Sequence, residues 1–318
     1  MTKPRVVFHL PGHMLDNDGA AMPGLFRKLS SGLRHRGAET ELRWRDAEAL
    51  IRMTETPDVH LVHNGGFTHP RLLNTGLAYV FPYWYCDPIG IFGDSSLVGA
   101  RFDPTEIDPA KAADFHARLH RRLVIGRQSR YDQPQDRRHF AAGHIALFLQ
   151  GASDPVDRAR YMTEAEMFAA VLAARGPRPV AVKPHPRNTT GDTTAIMALA
   201  ARTPGVTITD ANVHDILASA AVTVTTTSAT ALESMLHGVP VILCGQSDLH
   251  HCAATTRNPG DIAEALREVV ARPYPFAAFL YWFLGQNMLN AGSETLVDDL
   301  LVRLRHHAIE TDELFSGD

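Results

Sequence analysis

The chain has 318 residues, of which 45% are hydrophobic and 21% charged, and a formal net charge of −4. That length points to about two domains with substantial cores, and the slightly negative balance argues against a general nucleic-acid binder while leaving room for a local basic patch. Cys86, Cys244 and Cys252 lack CxxC spacing and no apolar run reaches about 18 residues, so neither a disulfide framework nor a spanning helix is expected, and cytoplasmic is the default.

Residues 5–10 (RVVFHL) are expected to form a first strand, followed by a Gly/Asp-rich loop, PGHMLDNDGAAM. Residues 25–36 carry Leu25, Leu29 and Leu33 at helical spacing and end at Gly37, and 59–62 make a short strand. The aromatic stretch GLAYVFPYWYCDPIGIFGDSSL fits no single element. Residues 115–122 look helical and basic, and YDQPQDRR at 131–138 has the composition of an interdomain linker. Strands are then expected at 145–150, 180–183, 206–209, 222–225 and 239–243, alternating with helices at 164–174, 194–201, 213–220, 229–237 and 262–271, which is the pattern of a doubly wound domain. An aromatic helical stretch at 276–290 and a polar helix close the chain. The expected plan is α/β and GT-B-like: two Rossmann-like domains facing a central cleft, at 1–135 and 136–275, with C-terminal helices at 276–318 crossing back toward the first.

Three segments carry chemistry. In VAVKPHPRN an apolar strand ends in Lys183, His185 and Arg187; the flanking prolines enforce a rigid, non-helical loop. Its position at a carboxyl end, where open α/β sheets bind ligands, suits the cations to phosphate and His185 to hydrogen bonding or proton transfer; a strand exit with scattered surface charges is the alternative. In TVTTTSATALESMLHGVPVILCG a strand runs into Thr227, Ser228 and Thr230 at a helix start, with Glu233 one turn in. The hydroxyls suit a phosphate or carboxylate and Glu233 a ribose; capping and a solvated helix-face carboxylate are the plainer roles. In ALFLQGASDPVD, Gln150 ends a strand and Asp154 follows in a Gly/Ser/Pro loop, where a turn or N-cap role competes.

In this order, Gln150 with Asp154, KPHPR at 183–187 and TSATALESxLxGxPV at 227–241, the motifs resemble the capsule polysaccharide biosynthesis family, which contains bacterial Kdo transferases of capsule and lipopolysaccharide assembly. FLYWFLGQN resembles that family's C-terminal crossing helix. The similarity covers the second half; in the first half only the AYVFPYWYCDP region matches, and loosely. His-Pro followed by a Ser/Thr cluster is shared with bacterial sialyltransferases, so the motifs indicate a CMP-activated 2-keto sugar acid more firmly than any one sugar.

The resemblance implies a glycosyltransferase moving a Kdo-like sugar from CMP to a glycan or glycolipid acceptor. It implies that His185 and Lys183 contact the CMP phosphate, that Ser228 and its neighbours hold phosphate or the sugar carboxylate, and that Glu233 holds the ribose. Asp154 would be the essential carboxylate, a nucleophile in retaining members. Gln150, Arg187, Thr227 and Thr230 complete the expected donor set. No metal or other cofactor is required by this scheme, and the sequence has no HExxH, no DxD in a credible loop and no clustered His/Cys spacing. A CDP-polyol phosphotransferase of the teichoic-acid type, a sialyltransferase-like enzyme and a non-catalytic glycan-binding or export-assembly protein are the alternatives. On the acceptor side Asp16 and Asp18 could serve as a base, although an ordinary Asx turn is the commoner role for such residues. Arg118, Arg121, Arg122, Arg127 and Arg130 form a run without acids, either a solvated basic face or a contact for an anionic acceptor or the inner membrane surface.

Overall fold

The computed structural model describes residues 3–46, 51, 55–151, 153–186 and 190–315, with the side chains of 17–19, 154 and 155 outside the description. The chain divides into two compact units, 1–100 with 284–318, and 101–283.

In the first unit β1 (Val6–Leu10), β2 (Thr40–Trp44), β3 (Val59–His63) and β4 (Leu72–Leu77) run parallel in the order β2-β1-β3-β4, and β5 (Tyr83–Asp87) adds antiparallel to β4. The sequence concealed β2, β4 and β5 for physical reasons. β2 is a half-exposed edge strand of mixed polarity, TELRW, and β4 carries Asn74, Thr75 and Gly76 in its centre. The loop expected after β1 is instead helix α1 (Gly12–Gly19). Its Gly, Asn and Asp content disfavours helix, and packing of Met14 and Leu15 against the core supplies what propensity lacks. Helix α2 (Gly24–His35) buries Leu25, Phe26, Leu29 and Leu33 on the same core.

The second unit opens with helix α3 (Pro109–His120), capped by Asp108, whose carboxylate accepts from the Ala110 and Lys111 amides. Strands β6 (His144–Phe148), β7 (Val180–Lys183), β8 (Val206–Ile208), β9 (Ala220–Thr225), β10 (Val241–Leu243) and β11 (Ala254–Thr255) form an all-parallel sheet in the order β11-β10-β9-β6-β7-β8. This is the doubly wound Rossmann order, with its switch point between β6 and β9. The apolar strands bury both faces: Ile145 and Leu147 join one core, Ala146 and Phe148 the other, as period-2 alternation requires. Helices α4 (Asp154–Ala159), α5 (Glu164–Ala174), α6 (Gly191–Ala200), α7 (Val213–Leu217), α8 (Thr230–Leu236), α9 (Ile262–Ala271) and α10 (Phe276–Leu280) complete the unit.

The chain then returns to the first unit. β12 (Leu289–Asn290) pairs antiparallel with β5, and helix α11 (Leu296–His306) packs on α2. The contact is close enough that a Cβ on Gly32 would meet Val297 at 2.6 Å. The first compact unit ends at 100 and the second begins at 101. The reason is that α3 packs on α8 and α10, so 101–135 is built into the second unit rather than linking to it.

Candidate functional site

β7, β6 and β9 are adjacent and parallel, so the three motif-bearing loops leave the same edge of the second unit's sheet, about 5 Å apart from strand to strand. Gln150, just beyond β6, bridges the switch point to Thr227, just beyond β9: its Oε1 accepts from the Thr227 amide at 2.6 Å, and its Nε2 donates to Thr227 Oγ1 at 3.3 Å. The β6 loop is also held by Glu164, a buried carboxylate that accepts from the amides of Gln150 and Gly151. Asp154 opens α4 just after this anchored loop; its side chain lies outside the described residues, as does all of Arg187.

The hydroxyl row has divided roles. Thr225 Oγ1 donates to the Phe148 carbonyl at 3.0 Å, stitching β9 to β6, and Ser228 Oγ accepts from the Thr230 amide at 3.2 Å just before α8. Gly245, beyond β10, must lack a side chain, because a Cβ there would meet Thr227 Cγ2 at 2.8 Å and the Ala159 carbonyl at 2.9 Å. What remains is a set of orphans: Thr230 Oγ1, Glu233 Oε1 and Glu233 Oε2 are buried and have no hydrogen-bond partner. Residues three apart on a helix share a face. Burial pushes the Glu233 carboxyl up to about 7, with Ser129, Lys183 and Arg130 near enough to pull it back only partly. Glu233 is therefore no solvated helix-face residue.

Lys183 does something other than the expected phosphate contact. Its ammonium is buried and donates to Gln133 Oε1 (3.0 Å), the Asp210 carbonyl (3.0 Å) and the Ala211 carbonyl (2.5 Å). An ammonium has three protons, and all three are committed inside the unit. Burial lowers its pKa, opposed by Asp210 and Glu233. His185 is half-buried, with the Tyr131 ring edge-on to it at 5.2 Å.

The segment 127–138, whose part 131–138 has the composition of a linker, is a strap across this edge. Arg127 forks onto the Asp215 carboxylate (2.6 and 3.1 Å), and Arg138 reaches Asp210 at 2.7 Å. Gln133 Oε1 accepts from the Val213 amide at 3.2 Å as well as from Lys183. Ser129, Arg130, Tyr131 and Gln133 thus surround Glu233, His185 and Lys183. Only the dense arginines hinted at this in the sequence. In the first unit Asp16 is exposed on α1, and the Asp18 side chain lies outside the described residues. Among the described residues no trio of His, Cys, Asp or Glu is arranged to hold a metal ion, and no helix is long and apolar enough to cross a membrane.

Two solved structures share this architecture over nearly the whole chain. One is the KpsC beta Kdo 2,7 transferase of Thermosulfurimonas dismutans, with TM-score 0.53 and 16% identity, covering 94% of this chain and 99% of that one. The other is the KpsC beta Kdo 2,4 transferase of the same organism, with TM-score 0.54 and 17% identity, covering 87% and 90%. The chain has the GT-B-like fold of the capsule Kdo transferases. No protein-family model and no curated protein matches the sequence. At such identity the KpsC likeness speaks for the fold, and the residues at the sheet edge must carry the chemistry.

Proposed function

We propose that the protein is a glycosyltransferase that moves a Kdo-like 2-keto sugar acid from a CMP donor to a glycan or glycolipid acceptor in bacterial surface polysaccharide synthesis. The observation that carries this reading is the orphaned trio of Thr230 Oγ1 and the two Glu233 oxygens, buried at the carboxyl edge beside the switch point. A buried carboxylate without donors is costly, and a ribose diol would supply two. The KpsC fold supports a Kdo donor in particular.

In this scheme Glu233 and Thr230 grip the cytidine ribose, while Gln150, Thr227, Ser228 and Arg187 complete the donor pocket. Asp154 attacks the anomeric carbon; the bond to the phosphate oxygen breaks and its electron pair leaves with CMP. His185 hydrogen-bonds or protonates that departing phosphate. An acceptor hydroxyl, losing its proton to a base, then displaces Asp154, giving net retention. The scheme calls for no metal, and the site is expected to work on the cytoplasmic side, at the membrane if the acceptor is a glycolipid.

Thermal-shift titration with CMP, CDP, UDP and ADP tests the donor class. CMP at about 100 times its dissociation constant should stabilise the protein by roughly 2.7 kcal/mol. A preference for UDP, or no response to any nucleotide, contradicts the reading. Asp154→Ala and His185→Ala should abolish transfer, with CMP still binding to Asp154→Ala; wild-type turnover by that variant would remove Asp154 from the mechanism.

A further inference from the structure

We infer that His214 and His237 are positioning residues: through an ordered pair of hydrogen bonds they fasten the strap to α8, the helix that carries Thr230 and Glu233. The inference rests on the CMP reading above and deepens it.

Consecutive residues at the start of α7 grip the strap. Asn212 Nδ2 donates to the Pro134 carbonyl at 3.0 Å, the Val213 amide donates to Gln133 Oε1 at 3.2 Å, and the Asp215 carboxylate accepts the Arg127 fork. His214 lies between them, with its Nε2 2.8 Å from the Gln128 carbonyl, and it also reaches α8. Its Nδ1 is 3.0 Å from Nε2 of His237, the C-cap of α8, whose own amide donates to the Glu233 carbonyl at 3.3 Å. Further along the strap, the Tyr131 ring stands 5.2 Å from that of His185. One run of contacts therefore joins the helix of the buried carboxylate to the segment beside the histidine.

The protons on this run can be placed. A carbonyl only accepts, so His214 Nε2 carries the hydrogen. In a neutral ring Nδ1 is then bare and accepts, and the donor to it is His237 Nε2–H. Both rings are neutral at pH 7. Burial takes His237 to about 4, with His214 and His120 adding to it. Burial also lowers His214, opposed by the Gln128 carbonyl and Asp215 and reinforced by Arg127 and His120. The rings of His120 and His116 continue this face, 6.4 and 6.1 Å from one ring to the next. Without the His237 donor nothing selects the His214 tautomer. The other tautomer, Nδ1–H, gives up the Gln128 carbonyl and loosens that end of the strap.

Two measurements on the full chain test this. Ring-nitrogen NMR at neutral pH should show a proton on Nε2 and none on Nδ1 in both rings; an Nδ1–H tautomer or a charged ring at either position overturns the inference. Isothermal titration with CMP and cytidine reads the consequence. His237→Asn, whose amide is too short to stand at the Nε2 position, should weaken both compounds alike by about fivefold, the order of one buried hydrogen bond. His237→Gln returns a donor near that position and should recover most of the loss. If His237→Asn folds poorly, His237→Phe takes its place with the same expectation. An equal loss in the short and the long amide variants, or a loss for CMP alone, overturns the inference. No binding of either compound by the wild-type protein overturns it and the CMP reading together, whereas wild-type binding that His237→Asn leaves intact overturns only this inference.

Discussion

Glu233 lies one turn into a seven-residue helix, is 1% exposed and carries two oxygens without partners. An ionised carboxylate in that position is held against its desolvation cost, and its pKa of about 7 expresses this. The folded-state value lies above the ordinary one, so this group's contribution to stability is full at low pH and is lost as pH rises through 7. Replacing the charge with an amide of the same shape should therefore raise stability while weakening the nucleotide. Glu233→Gln is expected to stabilise the unliganded protein at pH 8 by on the order of 1–2 kcal/mol and to reduce CMP affinity at least tenfold. Denaturant midpoints with and without CMP check both halves, and an unchanged CMP affinity would remove Glu233 from the pocket. Such an exchange of stability for binding is common at functional sites.

Among the elements, the strap and the lysine beneath it decide how the donor loops are held. Lys183 ties the end of β7 to the loop after β8 and to Gln133, so removing its donors takes a partner from two backbone carbonyls in a buried place and leaves Gln133 Oε1 with the Val213 amide. Lys183→Met should lower stability by about 2 kcal/mol and weaken CMP and cytidine to the same degree, because the strap and not the phosphate contact is lost. Loss of CMP alone would return Lys183 to the phosphate. The KPHPR motif made a strand followed by a rigid loop legible without any structure, because two prolines forbid helix. It left the destination of the lysine ammonium open, because that depends on residues 27, 28 and 50 positions away.

Across the whole molecule, buried histidines set the acid limit. Burial is the main cause that takes His9 to about 3 and His63 and His237 to about 4; the His60 ring adds to it at His9, Arg45 at His63 and His214 at His237. His9 Nε2 lies 3.0 Å from His60 Nδ1, and His214 Nδ1 3.0 Å from His237 Nε2, so charging one ring of a pair repels the other. A depressed folded-state pKa gives stability that is full above about 6.5 and is lost as pH falls from there toward 4. At pH 5 each of the three costs roughly 2 kcal/mol at most, which outweighs the opposite contribution of Glu233 in the same window. Urea midpoints should drop between pH 7 and pH 5, and more steeply in Glu233→Gln; a flat profile would mean that these rings charge without opposing the fold.

The sequence by itself determined the parallel sheet of the second unit, because strands buried on both faces are written as uninterrupted apolar runs and their helices keep a 3.6-residue period. It also singled out the loops proposed to carry the chemistry, since proline, glycine and clustered hydroxyls act locally. Tertiary structure alone decided the rest. It made a helix of the Gly/Asp-rich segment after β1, drew part of the aromatic stretch into β5, antiparallel to β4, and returned the chain through β12 to the first sheet. It turned an apparent linker into a strap, committed Lys183 to the interior and left Glu233 without partners. Each of these outcomes depends on packing and hydrogen bonding between residues far apart in the chain, which no local pattern records.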